Sequence, residues 1–168
     1  MTADELKMLQ APLKATYKEH PEQALITLTA SGTIGRDISC KVETGRKIVE
    51  AGLHPATGGN GMLACSGDML LEALVACAGV TLSAVATAIG VVIEDGTVHA
   101  EGDLDFRGTL GVAKEVNVGF VAIRLKFLLK TQESQDKIDT LLKLTERYCV
   151  VLQTLNGGVA VHTSASYS

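Results

Sequence analysis

Apolar and polar positions change period several times along this chain, and each change marks an element. Thr2 and Glu5 form a capping box, so a short amphipathic helix starts at once, is perturbed at Pro12 and ends in "YKEHPEQ". "ALITLTASGTIG" and "RDISCKVETGRKIVEAG" carry β-branched residues punctuated by glycine, which predicts antiparallel strands and hairpins. "LHPATGGNGMLACSG" is then a glycine-rich loop, long enough to suggest a functional role. An apolar helix is expected from about Asp68 to Ile89, with Asp68 as N-cap or first-turn acid and Gly90 as its stop.

The second half alternates with period two. In "TVHAEGDLDF", Val98, Ala100, Leu104 and Phe106 share one face and His99, Glu101, Asp103 and Asp105 the other. In "VNVGFVAIRLKFLL" the apolar parity switches from Val116, Val118 and Phe120 to Val121, Ile123, Leu125 and Phe127, which predicts a bulge near Phe120. Arg124 and Lys126 then face solvent. Ser134 caps a second helix with apolar Ile138, Leu141, Leu142, Cys149 and Leu152, expected to be helical through Cys149 with a break near Glu146. Gly157 and Gly158 turn the chain into a last strand, "VAVHTSASY". The order specifies an α+β fold, an antiparallel sheet packed on two main helices. Residues 1–22 form an N-terminal helical extension and 23–168 a single domain.

Composition narrows the function classes. A net charge of −4 and the lack of a Lys/Arg cluster argue against nucleic acid and against an anionic membrane surface. From Ala73 to Val92 no residue is charged, the length of a membrane span. That run is rich in Ala, Gly, Ser and Thr and has no basic flank, so the buried centre of a soluble fold is the expectation. The acidic N-terminus lacks a secretory apolar run, and the reading is cytoplasmic with reduced thiols.

Cys40, Cys65, Cys77 and Cys149 contain no CxxC and no Cys/His pair at ligand spacing, so no metal site is expected. His20, His54, His99 and His162 show no metal spacing either. Cys40 alternates with Ile38 and Val42 as a strand core residue, and Cys65 is a loop filler or an alternative resolving thiol. Taken singly, Cys77 and Cys149 fit buried small hydrophobes better than redox thiols.

Two stretches and their order decide between those readings. "GDMLLEALVACAGVTLSAVA" and "TERYCVVLQTL", with the approach "LHPATGG", resemble the OsmC/Ohr family of thiol peroxidases, including its YhfA-like branch, over residues from about 25 to 168. The resemblance implies an OsmC-like intertwined homodimer with the active site at the subunit interface. It makes Cys77 the peroxidatic thiol and Cys149 the resolving thiol. Asp68 stands where the family usually has Glu, and Arg36 in "TIGRD" matches an active-site arginine, with Arg46 as the fallback. Val150 follows Cys149 where many members have Pro.

The implied activity is thiol-dependent reduction of organic hydroperoxides; the alternative is a non-catalytic OsmC-like module for small-molecule binding or redox sensing. No bound cofactor is expected, and the resemblance implies an external lipoyl-type dithiol as reductant. The chemistry needs an ionised Cys77, which burial opposes and a guanidinium favours. Nine helical residues span roughly 13.5 Å and end half a turn round, so Asp68 and Cys77 of one chain face opposite ways unless Asp68 lies on the preceding loop. A shared site would then need a second subunit.

Overall fold

A computed structural model of the chain describes residues 3–34, 40–42 and 52–166, with side chains at 8–26 and 52–166. Helix α1 (Ala3–Glu19) continues through Pro12, and a 3-10 turn over Pro21–Ala24 leads into strand β1 (Leu25–Ile34). A short strand, β2 (Cys40–Val42), pairs antiparallel with the end of β1. The side chains of Arg36, Cys40 and Arg46 lie outside the described residues.

The long loop holds one 3-10 turn, Pro55–Thr57, and delivers the chain to α2 (Ser66–Ile89). This helix starts two residues before the expected Asp68. Cys65 is its N-cap and Asp68 a first-turn acid. Gly90 ends it in the left-handed region, φ 69°, where its N–H meets the carbonyls of Ala86 and Thr87, as a glycine C-cap does. By length and apolarity α2 could cross a membrane. It packs instead one face, Leu71, Leu74, Val75, Ala78, Leu82 and Ala86, against the rest of the fold.

Strand β3 (Asp95–Asp105), the single turn α3 (Phe106–Thr109) and strand β4 (Phe120–Lys130) complete a four-stranded sheet in the order β2-β1-β3-β4. The parity switch has the expected result. Asp103 pairs with Ala122 but Leu104 with Phe120, so Val121 is the extra residue of a bulge. Arg124 turns outward to Glu101 and Asp103, 3.2 and 2.6 Å away. At the foot of β3, buried Asp105 caps α3 through the Arg107 N–H and also grips the Arg107 guanidinium.

Helix α4 (Gln135–Tyr148) is followed directly by α5 (Val150–Gly157). The break falls on Cys149 itself, φ −72° and ψ 105°, rather than near Glu146. Leu141 of α4 joins Leu82 and Ala86 of α2 in one buried cluster. The expected last strand does not form. Residues 159–166 are non-strand and exposed, with Val159 and Val161 at 62% and 85%. The N-terminal helix packs Tyr17 against Phe106, Leu110 and Ala24, and its hydroxyl donates to the Ala56 carbonyl at 2.8 Å.

Candidate active site

The break between α4 and α5 is what makes a site. An unbroken helix would carry its amide groups into its own carbonyl ladder; the extended residue at 149 leaves the first amides of α5 free to turn elsewhere. Cys77, near the middle of α2, packs into the same cluster as Cys149, Val151 and Leu152. Two sulfurs seventy-two positions apart in sequence therefore share one core.

The two thiols sit in opposite electrostatic states. Burial pushes Cys77 up, but the Val151 amide, the Cys149 thiol, Thr81 and the Val150 amide together bring it below an ordinary thiol. Cys149 is wholly buried, and burial first, then the neighbouring Cys77, pushes it up to about 11 despite a bond from the Leu152 amide. Of the two, Cys77 is the sulfur that gives up its proton first.

Around them lie Leu71, Leu74, Val75 and Ala78 of α2 and Val151, Leu152 and Leu155 of α5. A groove of about 850 Å³ opens alongside, lined by Leu70, Leu74, Phe120, Ile123, Leu152 and Leu155, with Lys126 and Glu146 also on its wall. Its walls suit an apolar molecule with few polar groups.

Asp68 does not join the thiols. It lies on the same continuous helix as Cys77, so the loop exception lapses and the two are separated by roughly 13.5 Å and half a turn. Burial raises its carboxyl, opposed by His54, while burial lowers His54, opposed by Asp68. Glu72 is raised by burial and by Asp68. The His54 ring stacks on Phe106 at 4.9 Å and its Nδ1 accepts from the Ala56 N–H at 3.0 Å. Cys65 is half-buried at the helix start, packed against the core. Among the described residues no group of three or more His, Cys, Asp or Glu could hold a metal ion.

A family model described as OsmC-like protein matches residues 59–164, which include both cysteines of the pair and most of the fold. The chain belongs to the OsmC-like family. Two solved structures share the fold of this OsmC-like protein. One is an OsmC-like hydroperoxide resistance protein from Jannaschia sp. CCS1, 16% identical, with a TM-score of 0.58 over 83% of this chain and 91% of that one. Another is an OsmC-like protein from Mycoplasma pneumoniae, 18% identical, with a TM-score of 0.55 over 79% and 86%. No curated protein matches the chain.

Sequence reasoning passed over three donors of this OsmC-like site. Thr81 was legible as the i+4 neighbour of Cys77 on a helix. The Val150 and Val151 amides were not, because no side chain announces a free backbone N–H.

Proposed function

We propose that this OsmC-like protein is a thiol-dependent peroxidase for organic hydroperoxides, working by a two-cysteine cycle. The observation that carries the reading is that Cys77 and Cys149 pack in one core cluster, and burial and surroundings lower one thiol and raise the other. The Cys77 thiolate attacks one peroxide oxygen, the O–O bond breaks, and the alkoxide leaves as the alcohol after taking a proton from water. Cys77 becomes a sulfenic acid. Cys149 then attacks that sulfur; its thiol proton goes to the departing hydroxyl, and water and a Cys77–Cys149 disulfide result. An external dithiol of lipoyl type reduces the disulfide to two thiols and is itself oxidised to its cyclic disulfide. The apolar groove, lined by Leu74 and Leu152 of the cluster that holds both cysteines but by neither cysteine itself, favours an organic peroxide over hydrogen peroxide.

The working form in this proposal is a homodimer with the site at its interface. Leu70, Ala73, Val80 and Thr87 leave an uncovered stripe on α2, on either side of Cys77. Among the described residues β4 is an unpaired sheet edge, and such edges are normally covered. In this reading a second copy supplies its Asp68 to this Cys77, and Arg36 is the activating cation.

Thiol titration after one equivalent of cumene hydroperoxide tests the cycle. Wild type should lose two thiols rapidly, Cys149→Ser should stop at a sulfenic acid, and Cys77→Ser should show no fast reaction. A wild type that does not react would overturn the peroxidase and leave the binding or sensing module.

A further inference from the structure

The long glycine-rich loop before α2 takes no part in the proposed thiol cycle, yet it holds one of the chain's two Asn-Gly pairs, Asn60-Gly61 and Asn156-Gly157. We propose that Asn60 is a self-modification site: the Gly61 nitrogen closes on its side-chain amide and converts the residue to aspartate and isoaspartate, while Asn156 is spared. The inference goes beyond the peroxidase reading and does not rest on it.

The two pairs are alike in sequence and in exposure, and differ in backbone. Asn60 Oδ1 accepts from the Met62 N–H at 2.9 Å. An acceptor on one residue and a donor two residues on fold the side chain back over the amide between them, which turns its Cγ toward the Gly61 nitrogen. The same hydrogen bond polarises the carbonyl and meets the negative charge its oxygen gains under attack. Gly61 is exposed, at φ 72°, and has no Cβ to shield its nitrogen; among the described residues no acceptor holds its N–H. Hydroxide takes that proton, the nitrogen bonds to Cγ, and the bond to the side-chain nitrogen breaks, releasing ammonia with a proton from water. Water then opens the succinimide at either carbonyl, giving aspartate or the isomer whose main chain runs through Cγ. Nothing is oxidised or reduced. Asn156 is exposed too, but it and Gly157 are the last two residues of α5, where the helical ladder holds the Gly157 N–H and keeps its nitrogen from Cγ. Each event adds a negative charge to a chain at −4, and the isomer adds a backbone carbon to the loop that delivers α2.

Native protein held in mildly alkaline buffer and sampled over time can be digested and read by peptide mass spectrometry, with a purified isoaspartyl methyltransferase as the probe for the isomer. Asn60 should convert roughly five- to ten-fold faster than Asn156, the advantage of a nitrogen that need not first leave a helical bond. In urea the two pairs should convert at the same rate. Asn60→Gln should remove most of the methyl-accepting signal from the native protein with its circular dichroism unchanged. Asn156 keeping pace with Asn60 in the folded chain, or an Asn60 that stays amidated while the urea-exposed chain converts, would overturn the site. Cys77→Ser should convert as wild type does, which separates this chemistry from the thiol cycle.

Discussion

Oxidation of Cys77 and Cys149 should stabilise the fold by an amount that can be worked out beforehand. The disulfide would close a loop of seventy-two residues. The chain-entropy relation for such a loop gives about 4 kcal/mol at 25 °C. Strain in the bridge returns part of this, so a gain of about 2–4 kcal/mol is the expectation. With a urea slope of about 2 kcal/mol per M, the unfolding midpoint should rise by about 1–2 M. The assay is urea denaturation of stoichiometrically oxidised and fully reduced protein at one protein concentration, with Cys149→Ser as the variant that forms no bridge. Equal or lower stability of the oxidised protein, or bridges that a non-reducing gel finds between chains, would refute the reasoning.

Other perturbations test the frame around the site. Gly102→Ala should cost about 1–3 kcal/mol in chemical denaturation, because the added Cβ would lie 2.6 Å from the Phe120 Cδ1; Phe120→Leu in the same chain should recover part of the loss, and a neutral single variant would count against this packing. Arg107→Met should lower the thermal midpoint at neutral pH, since Arg107 holds the Asp105 carboxyl below the usual range. That stability is complete above the unfolded carboxyl's pKa and is lost as pH falls through the lower folded value, so the gap should close in acid; a gap that persists there points elsewhere. Val80→Glu, on the exposed stripe of α2, should convert a dimer to monomers in sedimentation velocity with helix content unchanged. A monomeric wild type would remove the interface altogether.

Local features of the fold were legible because local forces set them. The parity switch around Phe120 and Val121 forces an extra residue wherever one face must stay apolar, and Gly90 follows the last apolar turn of α2 as the residue that tolerates a positive φ. Tertiary context decided the rest. "VAVHTSASY" alternates as a strand does, yet alternation cannot say whether a neighbouring edge exists. Leu141, Thr145, Cys149 and Leu152 keep helical spacing straight across the break, so periodicity could not see one residue's change of dihedral. The thiol contact spans too much chain for any spacing rule, and only resemblance suggested it. Arg36 and Arg46 fall outside the described residues, and the amide donors have no letter in the sequence.

The extended residue between α4 and α5 has a mechanical meaning. Bringing two neighbouring sulfurs to a covalent bond requires displacement, and inside a straight rod that displacement would spread over many turns. Here it can be taken up by the dihedrals of a single joint, with the Leu141 end still seated on α2. Far-ultraviolet circular dichroism should barely register the redox state, whereas a fluorophore on the far end of α5 would report it clearly.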